Sequence, residues 1–156
     1  MNLMTIIMSN ELQEFYYEEI KRLASTIRID KRLEDPKFSI TKKSQICGST
    51  VTIDANIDSS GLISSIGYRT RSCTLAMAST AILFEEGIGC GKEELSKTAM
   101  QLNEKLLGNE ICFSEKWHKL NFFEIAKTMK QRHSSILLPF EAIIHGFKIL
   151  NSQTAL

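Results

Sequence analysis

No run of about eighteen apolar residues occurs anywhere in the chain, so no segment reads as a membrane-crossing helix. Proline is scarce, with 2 in 156 residues, and no Pro-, Gly- or Ser-rich stretch, internal repeat or linker interrupts the sequence. A basic stripe is missing as well. The 19 lysines and arginines are interleaved with 18 acids for a formal net charge of +1, which argues against a nucleic-acid-binding surface. The first ten residues, MNLMTIIMSN, lack a basic start and a small-residue cleavage site, so neither a signal peptide nor an Arg-rich transit peptide is expected. Residues 1–9 read as a loose tail. The expected compartment is cytoplasmic, where the 4 cysteines stay reduced thiols. None of these cysteines forms a CxxC knuckle.

What is present suits one globular domain over 1–156, with 43% hydrophobic and 24% charged residues. Leu12, Phe15, Tyr16, Ile20, Leu23 and Ile27 lay one apolar stripe on a helix from Glu11 to Ile27, with Ser9 or Asn10 as its cap. The period then changes to two. Val51, Ile53, Ala55 and Ile57 alternate with Thr50, Thr52, Asp54 and Asn56, the pattern of a half-buried strand. Asp58-Ser59-Ser60-Gly61 reads as a turn, Leu62–Thr70 as the partner strand and Phe38–Lys42 as a third. From Cys73 onward the pattern is helical. The apolar face Leu75, Ala76, Ser79, Ile82 and Leu83 stops at Gly87, and Leu95, Ala99, Leu102 and Leu106 stop at Gly108. A short helix is expected over Trp117–Lys127 behind Ser114, and a last one from Ser135 to about Leu150 with Pro139 in its first turn. The expected fold class is therefore α+β: a small three-stranded antiparallel sheet with helices packed on one face.

Three places could carry chemistry: Cys47-Gly48-Ser49 before a strand, Arg71-Ser72-Cys73-Thr74 where a strand gives way to a helix, and Arg132-His133-Ser134-Ser135 at the last helix. Packing the helices on the sheet would let all three meet at one rim. Two thiols and an imidazole there suit iron or zinc. Arg69 and Arg71, with the unpaired amides of a helix start, would favour a thiolate at Cys73. Spacing alone leaves another reading open, that both cysteines are buried apolar thiols. Cys112, between Ile111 and Phe113, reads as core filler. Cys90 in its Gly89-Cys90-Gly91 loop, His118 and His145 read as lacking a site role, and Trp117 with Phe122-Phe123 reads as packing.

Over roughly Leu12 to Leu150, the chain resembles the iron–sulfur cluster scaffold family of IscU, SufU and the NifU N-terminal domain. Cys47-Gly48 before the alternating strand is similar to that family's Cys-Gly-Asp motif. Ser72-Cys73-Thr74-Leu75-Ala76 is similar to its Gly-Cys-Ala helix start. RHSSILLPFEA over 132–142 resembles the SufU pattern R-x-K-C-A-T-L-P-W-x-A, and the length after Cys73 also favours a SufU-like member. The departures are Ser49 in place of the aspartate and Ser135 in place of the third cysteine. A hydroxyl is a poor substitute for either ligand, and the persulfide-accepting role of the third cysteine does not carry over to Ser135. Cys-Gly-Ser with Arg-His is similar to a divergent branch, in which His133 would compensate as a ligand.

The resemblance implies a metal and cofactor site of Cys47, Cys73 and His133, with Ser49 and Ser135 at the aligned ligand positions. It further implies a [2Fe–2S] cluster, iron or zinc as cargo, a cysteine desulfurase as partner, and apo iron–sulfur proteins downstream. It implies a binding protein and no enzyme, while the interleaved charges and the missing apolar run lead us to expect no nucleic-acid or membrane partner. Two other readings stand beside it. One is a metal-free regulatory partner of a desulfurase. The other is an enzyme with Cys73 as nucleophile and His133 as base.

Overall fold

The computed structural model describes residues 2–154. In chain order it runs α1 (Leu3–Ser25), β1 (Phe38–Lys43), β2 (Thr50–Ile57), β3 (Ile63–Arg71), α2 (Thr74–Glu86), α3 (Lys92–Leu106), 3-10 segments at Glu115–Ala126 and Lys130–Arg132, and α4 (His133–Thr154). The strands form the expected antiparallel meander in the order β1-β2-β3. Ile53 pairs with Ile40 on one side and Tyr68 on the other. Because side chains alternate along a strand, that register puts Val51, Ile53, Ala55 and Ile57 on one face, all buried.

Helices cover this face. α4 crosses β1 and β2, α2 lies along β3, and α1 and α3 pack outside them. Gly146 makes the crossing of α4 possible, since a Cβ there would stand 2.2 Å from the Phe38 ring. Tyr68, Trp117, Phe123 and Phe140 fill the centre. The Tyr68 hydroxyl donates to the Ile29 carbonyl at 3.1 Å, and Trp117 Nε1 donates to Glu94 at 3.3 Å. The buried polar ends are thereby satisfied.

The opposite face of the sheet is covered in part by the segment 28–37. Lys31 bridges Tyr68 through paired backbone hydrogen bonds of 3.0 and 2.7 Å. Arg32 grips the fully buried Asp54 at 2.8 Å.

Four sequence expectations are corrected. The segment read as a loose tail is helical from Leu3, because Asn2 caps it by accepting from Thr5 N at 2.8 Å; Met1 lies outside the described residues. The Glu115–Ala126 segment is 3-10 and kinks at Trp117, where burying the indole overrides a regular helical turn. Cys112 is exposed, while its neighbour Phe113 takes the buried position. Finally, α4 begins at His133 rather than Ser135, which moves Pro139 into the helix interior. Its missing N–H leaves the Ser135 carbonyl without a partner at that spacing.

Candidate functional site

Three short segments converge at one end of the sheet. The loop 44–49 joins β1 to β2 and is closed by Ser44 N–H to Ser49 C=O at 2.8 Å and Gly48 N–H to Ser44 C=O at 3.1 Å. Gly48 holds φ +75°, a left-handed conformation that favours glycine. Space is not the constraint, because nothing lies within 4 Å of where its Cβ would be. The turn presents Cys47 toward α4. The second segment is the β3–α2 junction, where Cys73 occupies the N-cap position of α2 with extended backbone and no side-chain cap bond. The third is the first turn of α4.

Cys47 sits in a nest of hydroxyls. Its Sγ is in hydrogen-bond contact with Ser135 Oγ and lies 3.2 Å from Ser49 Oγ. Its N–H donates to Ser44 Oγ at 3.4 Å, and Ser44 reaches Ser134 Oγ at 2.9 Å. Ser44, Ser49 and Ser135 are all buried, whereas both thiols are half-buried. Burial alone would push the Cys47 thiol up. Hydrogen bonds from Ser135, Ser44 and Ser49 outweigh it and bring the thiol down to about 6. As a thiol Cys47 donates to Ser49; once ionised it accepts from these hydroxyls.

Ser49 joins the two cysteines. Its Oγ accepts from the Cys73 backbone N–H at 3.3 Å while contacting Cys47 Sγ. The residue in place of the expected aspartate thus supports the rim as a hydrogen-bonding bridge. Ser135 serves likewise, its hydroxyl on Cys47. Its position depends on α2: the Ser79 hydroxyl donates to the Ile136 carbonyl at 2.6 Å, securing the turn that Pro139 loosens.

His133 is placed differently. Its Nε2–H donates to the Ala126 carbonyl at 2.8 Å, tying α4 to the end of the preceding 3-10 segment. Among the described residues no group of three or more His, Cys, Asp or Glu is assembled that could hold a metal ion. Cys47, Ser49, Ser135 and the Cys73 backbone therefore come together, and His133 does not complete a set with them. No hydrogen bond joins Cys73 to His133 among the described residues, so the nucleophile–base pair required by the enzyme reading is not formed. Arg71 engages Asp30 at 3.0 Å and the Thr70 carbonyl, and Arg69 approaches Asp30 at 4.0 Å.

Two thiols and two hydroxyls supply half of the strong donors that a four-coordinate iron or zinc centre takes. The residues that would hold a metal here are Cys47 and Cys73, at most two thiolates from this chain. They do not fit a cluster held wholly by it.

Ser44 escaped sequence reasoning, which named Ser134 and Ser79 only as members of a segment and of a helix face and gave neither a role. Ser44 and Ser134 sit in polar runs that look like ordinary loop. Ser79 left a readable signal: a hydroxyl on the apolar face of a helix must find a buried partner.

No family model matches the chain, and no curated protein does either. Solved structures do. A nitrogen-fixing NifU-like protein (N-terminal) from Brucella abortus superposes with a TM-score of 0.80 at 25% identity, over 86% of this chain and 92% of its own. A hypothetical protein gives 0.75 at 18% identity, over 86% and 98%. A protein described as an iron–sulfur cluster assembly scaffold for the SUF system, from Fervidobacterium islandicum AW-1, gives 0.70 at 24% identity, over 85% and 93%. In its fold, then, the chain is akin to NifU-like N-terminal domains and to the SUF-type iron–sulfur assembly scaffold.

Proposed function

We propose that this protein works in iron–sulfur cluster assembly as a scaffold-like carrier. Its cargo is iron, zinc or a [2Fe–2S] cluster taken at the rim by Cys47 and Cys73. A cysteine desulfurase is the partner that supplies sulfur, apo iron–sulfur proteins are the recipients, and the cytoplasm is the place of work. The chain binds and hands over; it does not catalyse. The observation that carries this reading is Ser49, whose single hydroxyl touches Cys47 Sγ and the Cys73 amide and so ties the Cys47 loop to the backbone at Cys73. The remaining ligands come from outside this pair, with His133 a contributor once it leaves Ala126.

A specific observation favours a second reading, a metal-free regulator that binds a desulfurase through the same fold. The positions aligned to two family ligands are serines engaged in supporting hydrogen bonds, and His133 is tied to a backbone carbonyl. The test is elemental analysis and absorption spectroscopy on anaerobically purified protein, wild type beside Cys73→Ser. Near-stoichiometric iron or zinc that disappears in the variant supports the carrier. Metal-free wild-type protein that still captures a desulfurase replaces it with the regulator.

A further inference from the structure

We propose that the open face of the sheet, next to the thiol rim, carries a binding subsite for a small oxyanion. The face carries a cavity of about 330 Å³ lined by Thr41, Thr50, Thr52, Arg69 and Arg71. The register explains why these five meet. Thr41 pairs with Thr52 and Thr52 with Arg69, while Thr50 pairs with Arg71. Residues opposite one another in an antiparallel pair project to the same side, so two rows of hydroxyl and guanidinium groups lie side by side.

The lining is all donors, and several are unused. The Arg69 guanidinium makes no hydrogen bond among the described residues; its single charge contact is the 4.0 Å approach to Asp30. A guanidinium carries five N–H donors in a fork that suits carboxylate and phosphate. Thr41 and Thr52 share one hydrogen bond of 2.7 Å, which leaves one hydroxyl hydrogen of the pair to spare. Thr50 has no side-chain partner among the described residues. Lys43 pairs across from Thr50 and brings a third cation to this end. The one acid in contact with the arginines, Asp30, is held by Arg71 and by the Thr70 amide, and Asp54 further along is occupied by Arg32. No carboxylate lines the cavity. Convergent donors with unneutralised positive charge define an anion site.

The ligand chemistry is that of an oxyanion small enough for the cavity, whether inorganic phosphate or the carboxylate of a small metabolite. The site adjoins the rim directly, because Thr50 follows Ser49 and Arg71 precedes Ser72-Cys73. It needs no metal, and so stands or falls apart from the carrier function.

The experiment is a two-dimensional amide NMR titration of the full chain with sodium phosphate, sodium acetate and, at matched ionic strength, sodium chloride. Phosphate is expected to shift the amides of Thr50, Thr52 and Arg69 saturably, with chloride leaving them in place. Saturation by acetate at the same amides identifies a carboxylate as the native class; response to phosphate alone identifies a tetrahedral ion. Arg69→Gln should weaken binding about tenfold or more, as expected for losing charge-assisted hydrogen bonds, and Thr50→Val should weaken it while retaining the strand. Cys73→Ser should bind as wild type. Shifts that follow ionic strength regardless of the anion, or that persist in Arg69→Gln, overturn the proposal.

Discussion

The chemistry of Cys47 follows from its three serine neighbours. A half-buried thiol with no hydroxyl partners would titrate above its ordinary 9.0; the hydrogen bonds of Ser135, Ser44 and Ser49 bring it to about 6 instead. Since the thiolate is the nucleophile, alkylation of Cys47 by iodoacetamide in metal-free protein should show a midpoint near pH 6. Ser135→Ala should move that midpoint upward toward 9.0, as read by mass spectrometry of the Cys47 peptide. The linkage has a definite sign. The folded state releases its proton at about 6 and the unfolded state at 9.0. The stabilisation is therefore complete above pH 9.0 and fades as pH falls toward 6. The same residues set the metal question. Ser49→Asp combined with Ser135→Cys should raise iron or zinc affinity about tenfold or more, because a carboxylate and a thiolate replace hydroxyls that hardly ionise. Equilibrium dialysis would measure it, and unchanged affinity would show that the rim cannot gather its ligands. Sequence reasoning found Cys47, Ser49, Cys73 and Ser135 through motif position. The use of Ser49 and Ser135 as hydrogen-bonding supports was not legible there, since it depends on which carbonyls, amides and hydroxyls the turns bring within reach.

At the scale of elements, the site is only as well placed as α4, and α4 contains a proline. Ser79 on α2 compensates with its 2.6 Å bond to the Ile136 carbonyl, next to Ser135. Ser79→Ala would remove that buried hydrogen bond at a cost of about 0.5–1.5 kcal/mol. Thermal unfolding should register the loss, and the Cys47 alkylation midpoint should rise with it, because the first turn of α4 would no longer hold Ser135 against the thiol. A lower melting point with an unchanged midpoint would separate the two elements. Asp54 has a comparable part on the other side of the sheet. Burial pushes its carboxyl up, but Arg32, Ser39 and the Leu33 amide hold it below the ordinary 3.8. Its contribution is thus complete above pH 3.8 and fades as acid takes the pH through the folded-state value. Asp54→Asn should cost about 1.5–3 kcal/mol, the range for hydrogen bonds to a charged group, because Arg32 is left half-exposed to water, and denaturant unfolding at neutral pH would measure it. The strands were legible because a two-residue period has few competitors. The 3-10 character of Glu115–Ala126 was not, because there the burial of Trp117, Leu120, Phe122 and Phe123 decides the backbone and only the finished packing specifies it.

Across the whole molecule, burial is unevenly distributed along α1. Leu3, Met4, Ile6, Leu12 and Phe15 are exposed, and the first buried residue among its described side chains is Ile20. From Ile20 through Ala24 the helix is anchored in the core, as is Ile27 just past its end, and Tyr16 rests on Phe122 with ring centroids 5.4 Å apart. Periodicity alone made Glu11–Ile27 one amphipathic helix, and a stripe of apolar residues cannot reveal where the partner surface stops. Apolar residues left in water contribute little to folding, so a chain beginning at Ser9 should keep its stability. Its melting temperature should fall by no more than about 2 °C, the shift that corresponds to roughly 0.5 kcal/mol in a domain of this size. Ile20→Ala in the full chain should instead lower it by about 5 °C or more, since a buried isoleucine cut to alanine costs about 2–5 kcal/mol. A large drop in the truncated chain, concentration-dependent in the parent, would mean that the exposed helix end is buried between copies in solution, and the apolar residues before Ser9 would then belong to an interface.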